Sequence, residues 1–104
     1  MRLLAEQRGA RLCVAGDLNT TVGFDGHYGT KRGRALLNEA LEAAALVCVT
    51  RDANRPRERV AHPFIDHVCV SRELAGASTV VDAWEGRADG VKLSDHSGVV
   101  VEVP

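Results

Sequence analysis

Three apolar runs, at 12–15, 68–70 and 99–101, place hydrophobic residues at consecutive positions, which is the pattern of strands buried on both faces. A sheet buried on both faces needs a covering layer on each side. Thr30 to Ala45 is the best helix in the chain, with Leu36, Leu37, Ala40, Leu41 and Ala44 at helical spacing and Thr30 placed as its N-cap. Met1 to Gly9 reads as the tail of a second helix, stopped by Gly9 and starting with no capping residue before it. Together these two helices cover one face, so the expectation is that part of the fold lies outside this sequence. The expected class is α+β, a helix layer on a mixed, largely antiparallel sheet.

The remaining elements follow from short apolar runs between turn residues. Arg11–Ala15, Leu46–Val49, Phe64–Ser71, Ser78–Ala83 and Val99–Val103 read as strands, and Thr20–Tyr28 as a polar, Gly-rich loop. Arg51–His62, with four Arg, an Asn and a Pro, reads as a loop or excursion. At 104 residues the chain is one domain at most.

Charge excludes a basic nucleic-acid coat, since the net value is −1. Its distribution is uneven: residues 31–59 carry seven basic and four acidic groups, and residues 65–104 carry three and seven. Aromatic residues make up only 4%, so stacking platforms for single-stranded nucleic acid are scarce. Cys13, Cys48 and Cys69 each sit in an apolar run with no CxxC spacing, which predicts buried, reduced thiols and a cytoplasmic location. No apolar run approaches the ~20 residues that span a membrane, and the N-terminus is too short in apolar residues for a signal peptide.

Three blocks carry acids, an amide and an imidazole to the ends of these strands: Gly16-Asp17-Leu18-Asn19, Ile65-Asp66-His67-Val68 and Ser94-Asp95-His96. Each alone reads as a turn or a surface pair. In this order they resemble the C-terminal signature of the endonuclease/exonuclease/phosphatase superfamily, the DNase I-like and exonuclease III-like metal-dependent phosphodiesterases. The stretch from Arg34 to Leu46 also looks like that family's helix between the first two blocks. The resemblance runs from about residue 3 to residue 103, and covers the C-terminal half of the family domain.

The resemblance implies half of a DNase I-like four-layer α/β sandwich, with residues 1–104 as a single partial domain. It also implies a phosphoesterase using Mg²⁺ or Mn²⁺. His96 would then be the base and Asp66 its orienting partner. Asp17 would position or deprotonate the nucleophile, Asn19 would bind a non-bridging phosphate oxygen, and Asp95 would serve the metal. His67 alternates to the opposite face from Asp66 and reads as structural, while Ser94 holds the Asp95 turn.

The loop from Gly23 to Arg32 follows the Asp17/Asn19 block and ends in two cations, so His27, Lys31 and Arg32 join Asn19 as candidate substrate contacts; a plain Gly-rich turn before a helix explains the same residues. Arg51, Arg55, Arg57 and Arg59 fit either a phosphate track or an exposed polar loop. The family's N-terminal Asn, metal-binding Glu and mid-chain His or Tyr have no counterpart here. The expected partners are therefore a phosphate-ester substrate, with nucleic acid one candidate, and a complementing N-terminal half or a second copy. An inactive half-domain acting as a binding or assembly module is the alternative.

Overall fold

The computed structural model describes residues 11–104, so the helix expected over 1–9 lies outside the described residues. Strands β1 (Cys13–Asp17), β2 (Leu46–Cys48) and β3 (Asp66–Ser71) form a sheet in the order β1-β3-β2, with both pairings antiparallel. The central strand β3 meets an apolar environment on each face. Cys69 packs with Cys48 and Leu46 on one side, while Val68 and Val70 meet Val49 and Leu74 on the other.

Helix α1 (Lys31–Ala43) covers the first of these faces. Its start is set by Thr30, whose hydroxyl oxygen accepts the Gly33 N–H at 2.9 Å. Leu37 and Leu41, four residues apart, and Ala44 beyond them, point at β2 and β3. A leucine fully buried in this way contributes about 2 kcal/mol. Leu36 lies on the other side of the helix and is exposed.

The other face is covered by α2 (Arg72–Ala75), a single turn after β3, and by the antiparallel pair β4 (Thr79–Trp84) and β7 (Gly98–Glu102). Val80, Val101 and Val103 lie against Val70 and Leu74, and Ala83 and Val99 against Val60 and Phe64. A bulge between Val80 and Asp82 offsets the pairing of β4 with β7. Between these strands the chain forms a small hairpin, β5 (Arg87–Ala88) with β6 (Val91–Lys92). The described residues form a small mixed α/β protein with antiparallel sheets and few helices.

Two expectations from the sequence are corrected. β1 and β7 are not buried on both faces: Cys13, Ala15 and Gly16 are exposed, and so is Val100. β1 is an edge strand, and β7 belongs to a two-stranded ribbon that turns one face to the core, so alternate side chains point away. For the same reason Cys13 is exposed, although Cys48 and Cys69 are buried as expected; all three thiols are free.

His67 is 2% exposed and bonded through both ring nitrogens. Its Nε2–H donates to the Thr20 carbonyl at 2.8 Å, and its Nδ1 meets the Thr50 hydroxyl at 2.8 Å. Thr50 also accepts the Val68 N–H at 3.1 Å, so this ring ties the loop after β1 to the central sheet. The arginines of the 51–62 loop are largely engaged within the fold. Arg55 and Arg57 hold the buried Asp52 at 2.8 and 3.0 Å, and Arg59 pairs with Asp82. No helix among the described residues is long and apolar enough to cross a membrane.

Candidate active site

The pairing of β1 with β3 sets Asp17, the last residue of one strand, directly opposite Asp66, the first residue of the other. Opposed residues in an antiparallel pair share a face, and like charges there repel. His96 relieves this pair. Its Nδ1–H donates to Asp66 Oδ2 at 2.6 Å, and its Nε2 lies 3.9 Å from Asp17 Oδ2. The second distance is too long for a direct hydrogen bond, and one water can bridge such a span. The ligand atoms of Asp17, Asp66 and His96 all lie within 4.8 Å of one another, which makes them a possible metal-holding group.

His96 comes from the turn that leads into β7, and that turn is held from two sides. The Ser94 hydroxyl accepts the His96 N–H at 3.1 Å, in the local role expected of it. The Gly86 carbonyl accepts the N–H groups of Leu93 and Ser94 at 2.7 and 3.0 Å. A Cβ at Gly86 would stand 2.6 Å from the His96 carbonyl oxygen and closer still to that of Ser94. Glycine is required there because two stretches of backbone meet.

On the Asp17 side, the backbone of Asn19 closes a turn in which its N–H donates to Asp17 Oδ1 at 2.9 Å. Asn19 takes a left-handed φ of +52°, a conformation that asparagine tolerates better than most residues.

A cavity of about 390 Å³ opens over this group. Asn19, His27, Asp66, Asp95 and His96 line it, so five of the sequence-derived candidates surround one space. Asp17 adjoins it through His96. Lys31 and Arg32 do not line it; they are exposed on the first turn of α1. Asp95 is on its wall, but its carboxylate is held by Lys92 at 2.5 Å and lies outside the Asp17–Asp66–His96 group.

Electrostatics follows these contacts. The hydrogen bond that Asp66 accepts, and then its charge, raise the His96 pKa above the ordinary value, with the Asp17 and Asp95 carboxylates adding to this and desolvation opposing it. Lys92 holds the exposed Asp95 carboxyl below its usual range.

Sequence reasoning missed His62 and Tyr28, which also line the cavity, and Gly86, which packs against the backbone of Ser94 and His96. Tyr28 was inside the loop singled out, whereas His62 had no signal beyond a place at the end of an Arg-rich loop. Comparison of the chain with protein-family models, curated proteins and solved structures found no match.

Proposed function

We propose that this chain carries the base and acid residues of a metal-dependent phosphoesterase, in a fold corresponding to the C-terminal half of a DNase I-like sandwich. The observation that supports it most is the imidazole of His96 set between Asp66 and Asp17 at the mouth of a cavity. Ordered bases of this kind remove a proton from water when one ring nitrogen is held by a carboxylate and the other carries the lone pair. Asp66 takes the Nδ1–H, which leaves Nε2 to receive the proton. Asp17 faces the same Nε2 and orients the attacking water between them. Asn19 offers an uncharged amide to a non-bridging phosphate oxygen.

Two carboxylates within reach of one another suit a hard divalent cation such as Mg²⁺ or Mn²⁺, which prefers oxygen ligands. Asp17 and Asp66 would hold it, and when bound it would offset negative charge developing on the phosphate oxygens.

The test is hydrolysis of bis(p-nitrophenyl) phosphate by the chain with Mg²⁺ or Mn²⁺, alone and mixed with the N-terminal half of such a domain. Hydrolysis that needs the metal and falls about 10²–10⁴-fold in His96→Ala is the expected result. No metal-dependent hydrolysis in either arrangement overturns the reading.

A binding or assembly module is the second reading, favoured by Val81, Trp84 and Val100, which are exposed on the β4–β7 ribbon. Under that reading His96→Ala alters local stability and nothing else.

A further inference from the structure

We propose that His27 and His62 together form an anion-binding wall of this cavity that grips the non-bridging oxygens of the substrate's phosphate group. This rests on the phosphoester reading above. The two rings are stacked, with centroids 4.8 Å apart and planes within 7°, and both line the cavity with Asp66 and His96.

Two independent observations carry it. The first is charge. None of the described residues lining the cavity is Lys or Arg, while Asp66 and Asp95 are on its wall and Lys92 is committed to Asp95. An anionic substrate entering there meets carboxylates and needs donors to offset them. The second is unused bonding capacity. The two rings stack on one another, and among the described residues their nitrogens have no hydrogen-bond or ion-pair partner. His96, by contrast, is already engaged by Asp66.

The wall is also fixed in place. The Thr21 hydroxyl, 1% exposed as a residue, donates to the loop carbonyl of Phe24 at 2.8 Å and lies 3.2 Å from that of Gly26. Arg34 reaches the carbonyls of Tyr28 and Gly29 at 3.4 and 3.3 Å. His27 lies between these anchors with a left-handed φ of +62°, so its ring is presented by an ordered turn. His62 enters from the segment before β3, two residues ahead of the buried Phe64. Each imidazole supplies an N–H donor when neutral and two when protonated, and stacking sets the rings side by side.

The test is a titration of the full chain with inorganic phosphate, read by NMR of the imidazole resonances without divalent metal. Saturable shifts at both His27 and His62 are expected. His27→Ala and His62→Ala should each weaken binding at least tenfold and raise KM for a phosphodiester more than they lower kcat. His62→Asn, which keeps a side-chain N–H, should recover part of the loss. Both residues are exposed, so the variants should keep the fold, and backbone amide spectra will verify it.

Shifts confined to His96, or no saturable shift at either ring, overturn the proposal and leave the hydrolytic reading standing. Shifts at both rings, with no phosphodiesterase activity either alone or with the N-terminal half supplied, uphold an anion site and sink the hydrolytic reading. A phosphodiester that competes for the same shifts identifies the ester as the ligand; failure to compete identifies free phosphate.

Discussion

The Nδ1 of His96 lies 2.6 Å from Asp66 Oδ2, although thirty residues separate them in the chain. Asp66 opens β3 and His96 sits just before β7, so the contact joins the end of the central sheet to the turn that feeds the ribbon packed on it. The same imidazole faces Asp17 across 3.9 Å. One ring thus reads the register of β1 on β3 and the seating of the ribbon at once.

That geometry sets a pH dependence. Under the phosphoesterase reading proposed above, His96 works in its neutral form, and Asp66 raises its pKa above 6.5, so kcat/KM should climb with pH to a plateau whose midpoint lies above 6.5. Asp66→Asn removes the largest cause of the shift. The midpoint should move down towards 6.5, while the plateau falls at least tenfold because the tautomer is no longer held. The linked stability has the opposite sense. A raised histidine pKa stabilises the fold below the unfolded value and loses that contribution as pH rises through the folded value. Following the His96 Cε1 proton by NMR in both proteins measures the shift; an unchanged titration midpoint in Asp66→Asn would refute the assignment.

Gly86→Ala should act on the site through the backbone of Ser94 and His96. The added methyl meets the carbonyls of Ser94 and His96, and rigid backbone of this kind yields only by moving. Overpacking typically costs about 1–3 kcal/mol, and the displaced His96 should lose part of its contact with Asp66. Gly76→Ala is the control, since a Cβ there has open space within 4 Å; its effect should stay within about 0.5 kcal/mol. Urea unfolding with the His96 titration separates the two variants.

Asp52 and Arg55 form a pair whose side chains are 7% and 6% exposed. Burial pushes the Asp52 carboxyl up, but the hydrogen bonds of Arg55 and Arg57 outweigh it and leave the group below its ordinary value. A depressed carboxylate stabilises the fold above the unfolded pKa and loses that contribution as pH falls through the folded one. Arg55→Ala at pH 7 should therefore cost about 3–5 kcal/mol, because a buried charge loses a partner. The penalty should shrink below about pH 4, as Asp52 takes up a proton. Denaturation curves at pH 7 and pH 3 test this; a pH-independent penalty would contradict the role given to Asp52.

Much of the secondary structure was legible in sequence. The helix read over Thr30–Ala45 forms over Lys31–Ala43 with the expected cap, because Leu37, Leu41 and Ala44 have one face to bury and Thr30 has a free N–H to bind. The strand read over Phe64–Ser71 forms at Asp66–Ser71. The turn α2 and the hairpin β5–β6 were not foreseen. Each spans only two to four residues, too few to show a period, and they form because neighbouring strands hold their ends.

By itself the sequence determined which groups were available: Asp17, Asn19, Asp66, Asp95 and His96 in blocks at strand ends, and a loop bearing His27. Side-chain chemistry and local spacing are properties of short segments, so they survive without any fold. Only tertiary structure decided which of these groups meet. Strand register put Asp17 opposite Asp66, ribbon packing brought His96 between them, and Lys92 drew Asp95 aside. It also added His62 to the cavity wall and turned Lys31 and Arg32 away from it. Proximity between segments tens of residues apart depends on pairing and packing of the whole chain, and no local pattern encodes it.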